Sequence, residues 1–300
     1  ACKFYRHTSS CCACPISSAP LPLYTACPPE SDLDTMGSGH SSLVTSVSAV
    51  PLATALVPGQ SAPTIFPSST LHSAVVFSDD FEGSAPQFNH SRYRVDGSGS
   101  ITAVTNPVFH GQQSAKFTVP NDGVSWRSEI AKNSLGYGSF SFSFVNYLPT
   151  DWVDTSFNTI IAQWHGFKLI NGQNTNPPIA LSVKDMRWLL QVHHLENPSD
   201  RKPKAQWYDL GQAIKGTWNQ WDFRIDWSRP ELNGTVTVIL NGKTVVVHKG
   251  SNNYHQTEPP YFKQGIYRPN WNPEKGLSYL TGSPPVVVYC DDLVVTKFLQ

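Results

Sequence analysis

Tyr261-Phe262-Lys263-Gln264-Gly265-Ile266-Tyr267-Arg268 decides how this chain is read. Side chains alternate along a β-strand, so a strand here puts Tyr261, Lys263, Gly265 and Tyr267 on one face. That face carries two phenols and an ammonium around a glycine that lets another group come close. It would make a poor core and a suitable floor for a polyanionic ligand.

Three more segments present polar groups with the same period. Ser125-Trp126-Arg127-Ser128-Glu129 puts Arg127 and Glu129 on one face. Ile161-Ala162-Gln163-Trp164-His165 puts Gln163 and His165 on one face and Trp164 on the other. Arg187 to His194 turns Trp188, Leu190 and Val192 toward a core and leaves Arg187, Gln191 and His193 opposite. Taken singly, each has a plain reading. An Arg-x-Glu pair is often a surface ion pair worth little, and a lone His is more often structural than catalytic.

Taken together, Arg, Gln, His, Lys and Tyr suit β-elimination on a uronic acid. That reaction needs the sugar carboxylate neutralised, so that the neighbouring C–H becomes acidic. It also needs a base for that proton and an acid for the departing oxygen. Arg127 and Gln163 can hydrogen-bond a carboxylate, Arg through its fork geometry. His165 and Tyr267 can move protons. A phenol needs nearby cations to act as a base, and Lys263 and Arg268 are the adjacent candidates.

The surrounding texture is β. Ser139-Phe140-Ser141-Phe142-Ser143-Phe144 alternates strictly, as does Trp221 to Trp227. Phe140, Phe142, Phe144, Phe223 and Trp227 are assigned to the core. Thr235 to Leu240, Asn241-Gly242 and Lys243 to His248 read as a hairpin with a type I′ turn. Pro285 to Val295 is a last β-branched run, and no long segment has helical periodicity. The expected fold is an all-β sandwich of about 220 residues.

Composition agrees. The 300 residues are 39% hydrophobic and 15% charged, with 9 Trp, 11 Tyr and 15 Phe, which suits a folded β domain. Lys+Arg and Asp+Glu both total 22, so no global field draws nucleic acid or membrane, and neither is an expected partner. An anionic substrate must therefore be held by a local cluster. No run reaches the roughly 18 apolar residues of a membrane span.

Residues 1–73 read as a Ser/Pro-rich disordered leader, and 74–300 as the folded domain. Within the leader, Met36 to Ala62 resembles a secretory signal peptide, so the expected location is extracellular. Asn89-His90-Ser91 and Asn233-Gly234-Thr235 are sequons compatible with secretion. Cys2, Cys11, Cys12, Cys14 and Cys27 fall in the leader without metal-ligand spacing. Cys290 alone lies in the folded part, which therefore holds no internal disulfide.

The three motifs Arg127-Ser128-Glu129, Gln163-Trp164-His165 and Tyr261 to Tyr267 resemble, in this order, the signature strands of the jelly-roll polysaccharide lyases. That group includes alginate lyases, the heparin lyase I type and fungal glucuronan lyases. Its motifs run Arg-(Ser/Thr)-Glu, Gln-(Ile/Val)-His and Tyr-Phe-Lys-x-Gly-x-Tyr. Trp164 replaces an aliphatic residue of the middle motif. Arg268-Pro269-Asn270 stands where alginate lyases usually have Asn-Gln, which is more similar to the glucuronan or heparin branch.

The resemblance implies a concanavalin-like jelly roll with a concave cleft, acting as a monomer on an acidic polysaccharide. It implies that Tyr267 is the acid and in some members also the base, that His165 is a base or carboxylate-site partner, and that Gln163 and Arg127 neutralise the carboxylate. Lys263, Tyr261, Arg268, His193 and Gln191 would line the substrate. No organic cofactor is expected.

Acidic clusters lie at both ends of the domain, Asp79, Asp80 and Glu82 at one and Asp291 and Asp292 at the other. Terminal strands often pair in jelly rolls, so these carboxylates can meet around a structural Ca²⁺. The plain alternative is a pair of solvated acidic turns.

Two other functions compete. A retaining glycoside hydrolase on a similar sandwich needs nearby carboxylates on one strand, such as Glu-x-Asp-x-x-Glu, and no such string occurs. A non-catalytic carbohydrate-binding module explains exposed aromatics but not the combination of Gln163, His165 and Tyr267.

Overall fold

The computed structural model describes residues 72–83, 92–153, 156–169, 172–273 and 283–299. The chain divides into two units, 1–53 and 54–300, and every described residue belongs to the second. Residues 1–71 of the leader, with its signal-like segment and the five N-terminal cysteines, lie outside the described residues, while His72 and Ser73 already belong to the first strand.

Fifteen strands and one short 3-10 turn make up the described part. One sheet runs β13 (Lys243–Gly250), β12 (Gly234–Leu240), β11 (Trp218–Asp226), β6 (Ser139–Tyr147), β15 (Val286–Leu299), β4 (Ser114–Val119) and β3 (Ser100–Val104). β1 (His72–Asp79) pairs with the second half of β15, Asp79 opposite Leu293. The other sheet runs β10 (Lys204–Gln212), β9 (Arg187–His194), β8 (Ile179–Lys184), β7 (Thr159–His165), β14 (Tyr261–Tyr267), β5 (Arg127–Lys132) and β2 (Arg92–Val95). All pairings between these strands are antiparallel. The result is the two-sheet jelly roll expected from the alternation. No helix of the described residues is long and apolar enough to cross a membrane.

The core lies between the sheets and is built from alternating aromatics. Phe142 and Phe144 from β6 and Phe223 from β11 meet Trp164 and Phe262 from the other sheet. Trp164 lies 4.8 Å from the Phe223 ring and 5.2 Å from those of Phe142 and Phe262. The core assignments of Phe140, Phe142, Phe144, Phe223 and Trp227 hold, as do those of Trp188, Leu190 and Val192. The Asn241-Gly242 turn has φ of 49° and 79°, the two positive values a type I′ hairpin requires.

Burying Trp164, Phe262, Ile266 and Val192 inward forces their strand neighbours outward. Gln163, His165, Lys263, Tyr267, Gln191 and His193 are therefore displayed on the outer face of the second sheet. Local apolar alternation is what positions the site.

Gly265 differs from its expectation. Its φ is 131°, at a bulge where β14 gains one residue on β7. A Cβ there would meet the Ser128 carbonyl oxygen at 2.3 Å and the Phe117 ring at 2.7 Å. The close approach that glycine permits is thus by β5 and the core, not by a ligand.

Candidate active site

β14 is the central element of the outer face. Tyr261 lies opposite His165 and Lys263 opposite Gln163, both on β7. On the other side, Gly265 lies opposite Glu129 and Tyr267 opposite Arg127, both on β5. The three motifs are thus three adjacent strands. Sequence separation of more than a hundred residues is erased by register.

At the middle of this face sits a buried hub. The Glu129 carboxylate accepts from Gln163 Nε2 on one oxygen and from Lys263 Nζ, at 2.5 Å, on the other. Glu129, Gln163 and Lys263 are 2%, 1% and 3% exposed, so water does not screen them. Burial pushes the Lys263 ammonium pKa down, against the opposing pull of Glu129. This corrects the reading of Lys263 as an open cation: its charge is already neutralised beneath the cleft.

His165 is half-buried beside this hub. Its Nδ1 lies 2.5 Å from the Gly166 carbonyl. A carbonyl only accepts, so Nδ1 carries the ring proton and Nε2 is the bare acceptor of the neutral ring. Burial lowers the His165 pKa, and Lys263 and Arg127 lower it further, while Gly166 and Glu129 oppose them. The ring is therefore neutral at neutral pH, the state a general base needs. Tyr261 packs against it with ring centres 5.5 Å apart.

Arg127 stands at the opposite end. Its Nε donates to Asp96 Oδ2 at 2.6 Å, leaving the terminal nitrogens of the fork for a substrate carboxylate. The guanidinium carbon lies 4.2 Å from the Trp126 ring centre and 5.8 Å from that of Tyr267. Tyr267 in turn meets the Trp126 ring edge-on at 5.5 Å. A cation thus lies beside the phenol ring. Asp96 carries no motif in the sequence, and only the fold brings it to Arg127.

The remaining substrate-lining expectations divide. His193 and Gln191 lie on the same sheet face but are 7% and 5% exposed. His193 Nδ1 donates to the Pro177 carbonyl, and Gln191 Nε2 to Ser182 Oγ. Arg268 is corrected. It is 1% exposed, donates from Nη1 to Thr159 Oγ1 at 2.6 Å and lies over Trp271. Burial takes its pKa down to about 10. It braces the end of β14 and does not line the cleft.

The acidic ends do meet through the β1–β15 pairing, around the loop of residues 106–113. Asp291 Oδ2 accepts from the Phe109 and His110 amides, and Glu82 Oε1 from those of Gln112 and Gln113. Asp292 contacts His110 Nδ1. Asp79 and Asp80 accept from the nearby amides of Phe81 and Glu82. Among the described residues, no three His, Cys, Asp or Glu side chains form a ligand cluster. Any cation here would need backbone carbonyls of the loop as well as Glu82 and Asp291.

The two-sheet jelly roll thus carries Arg127, Gln163, His165 and Tyr267 together on one outer face. A polysaccharide lyase family model matches residues 84–294. The chain belongs to that family and is a polysaccharide lyase. Its fold is similar to that of the endo-β-1,4-glucuronan lyase of the fungus Trichoderma reesei, with a TM-score of 0.64 at 18% identity over 75% of this chain and 96% of that one. The cellulose-induced protein Cip1 matches with a TM-score of 0.48 at 12% identity, covering 73% and 96%. The alginate lyase AlyC3 matches with 0.42 at 16%, covering 62% and 75%. Among curated protein sequences, none matches the chain.

Proposed function

We propose that the protein cleaves a 4-linked uronic-acid polymer, β-1,4-glucuronan for preference, by β-elimination outside the cell. The observation that carries this reading is one sheet face holding the bare Nε2 of His165, the Tyr267 phenol, and the Arg127 and Gln163 donors. Arg127 and Gln163 bind the uronate carboxylate, making the adjacent C–H acidic. Tyr267 protonates the departing oxygen as the C–O bond breaks, and the C–H electron pair becomes the new double bond.

Substrate stereochemistry sets who removes the proton. In glucuronate or mannuronate the proton and the oxygen leave from the same side, and Tyr267 can serve both. In guluronate or iduronate they leave from opposite sides, and His165 is the separate base. The choice of glucuronan rests on the departure from the alginate pattern at Arg268-Pro269-Asn270 and on the fold shared with a glucuronan lyase. Secretion rests on the signal-like segment 36–62 and on the exposed sequon residue Asn233. A structural Ca²⁺ at the paired ends rests on the carboxylates of Glu82 and Asp291, which both face the loop of residues 109–113.

The test is ultraviolet absorbance of the conjugated uronate product on a panel of glucuronan, alginate and heparin. Glucuronan should give the fastest rise. No rise on any acidic polymer would sink the reading.

A further inference from the structure

Aromatic rings lead away from His165. That residue closes β7, and its ring centre lies 5.5 Å from that of Tyr261 on β14. Tyr261 in turn lies 5.6 Å from Phe167, two residues past His165 in the connection to β8. Exposure departs from the expectation for this end of the site. Tyr261, expected to line the substrate, is only 9% exposed, whereas Phe167 is 37% exposed. The ring that a ligand meets here is therefore that of Phe167, with Tyr261 packed against it.

Connections are commonly mobile, but this one is clamped. The Phe167 amide donates to Gln256 Oε1 at 2.9 Å, and Gln256 Nε2 donates to the carbonyls of Phe167 and Lys168 at 2.7 and 2.9 Å. Thr175 Oγ1 donates to the same Phe167 carbonyl at 3.0 Å. One side-chain amide thus satisfies both backbone groups of Phe167, as a strand partner would. Gly166 allows the approach, because a Cβ there would meet Gln256 Oε1 at 2.9 Å. Gln256 is itself held: its carbonyl accepts from the Tyr137 hydroxyl, and nearby Tyr254 donates to the Asn176 carbonyl at 2.9 Å. A ring fixed in advance loses less freedom when a ligand covers it.

We propose that Phe167, positioned by Gln256, is a specificity-determining residue that stacks on the sugar next to the reacting uronate, on the His165 side of the scissile bond. Only two ring contacts separate Phe167 from His165, a span that the neighbouring sugar of the same chain covers. A phenyl ring brings no charge, so it takes the apolar face of a pyranose and not its carboxylate. A β-linked glucuronate carries its substituents equatorially and presents C–H groups to that face. The axial hydroxyls of mannuronate and guluronate interrupt it. The inference rests on the polyuronate-lyase reading above and adds a contact to the sugar ring, separate from the carboxylate contacts of Arg127 and Gln163. Phe167 touches no reacting atom.

The test compares Phe167→Leu, Phe167→Tyr and Gln256→Met on glucuronan, with KM and kcat measured separately and well below the melting temperature. Leucine still covers Tyr261 with apolar surface but offers no ring, so a role in packing alone predicts no change in KM. Stacking predicts a KM rise of roughly tenfold with kcat within about twofold, because the contact is made equally in ground and transition states. Phe167→Tyr keeps the ring and should recover most of that loss. Gln256→Met leaves Phe167 unclamped and should raise KM in the same direction by less. Calorimetric binding of glucuronan in a Tyr267→Phe background should give the same order without turnover. An unchanged KM for Phe167→Leu, or a loss in Phe167→Tyr as large as in Phe167→Leu, would overturn the stacking, and an unchanged KM for Gln256→Met would overturn the clamp. Failure of the unaltered protein to bind or cleave any polyuronate would instead overturn the function reading, and the role of Phe167 with it.

Discussion

The Lys263 ammonium and the Glu129 carboxylate face each other at 2.5 Å, 3% and 2% exposed, across two strands that separate them by 134 residues. Breaking such a pair strands a buried charge, which costs about 3–5 kcal/mol. Lys263→Met should therefore lower unfolding stability by about that amount in denaturant titration. Glu129→Gln/Lys263→Met together should recover much of it, because neither partner is then charged. A loss from Lys263→Met too small to measure would show that the pair is not closed in solution.

That pair also marks where reading the sequence stops. Arg127, Gln163, His165 and Tyr267 were legible because period-two alternation fixes which residues share a face. The core aromatics and the Asn241-Gly242 turn were legible for the same local reason. Lys263 has the same period, yet its burial depends on Glu129 arriving from β5, which is a matter of strand order. Asp96 reaches Arg127 from beyond β2 and has no local signal. Gly265 and Arg268 were misread because a bulge and a buried brace are tertiary facts.

His165 offers a pH test. Burial, Lys263 and Arg127 hold its pKa below the ordinary 6.5. If the neutral ring is the base, the acid limb of kcat/KM falls below 6.5, and activity is retained as pH drops from neutral until that lowered value is crossed. The sign is fixed: a lowered histidine pKa extends the active neutral form toward acid. An NMR titration of the His165 ring should give the same midpoint. A midpoint at or above 6.5 would remove the proposed electrostatic tuning.

Tyr267→Phe removes one phenol proton and keeps the ring that meets Trp126 edge-on at 5.5 Å. Acid–base groups contribute about 100- to 10,000-fold, so kcat should fall by at least roughly 100-fold. The melting temperature should stay within a degree or two of the unaltered protein, about the effect of a few tenths of a kcal/mol. Near-normal turnover would take Tyr267 out of the mechanism.

Asp291 has no exposed surface, and burial, with Asp292 beside it, raises its pKa from 3.8 to about 6. A raised carboxyl pKa means that the fold favours the protonated form. Its contribution to stability is present below 3.8 and is lost as pH rises through about 6. The proposed calcium ion would bind the carboxylate and should then reverse that loss. At neutral pH, added Ca²⁺ should therefore raise the melting temperature and EDTA should lower it. Asp291→Asn should abolish the calcium response. An EDTA-treated sample melting with the calcium-loaded one would argue against the ion.

Gly265 tests the backbone that aims the site. Its φ of 131° is strained for any L side chain, and an added Cβ would press on Ser128 and Phe117. Overpacking and backbone strain together should make Gly265→Ala cost at least about 2 kcal/mol. The bulge also sets where Tyr267 stands against β7, opposite Ile160, so the variant should lose kcat beyond its loss of fold. Measuring kcat well below the melting temperature separates the two effects. Full activity at a lowered melting temperature would show that the bulge serves packing alone, because Tyr267 would then keep its place without the strand geometry that Gly265 provides.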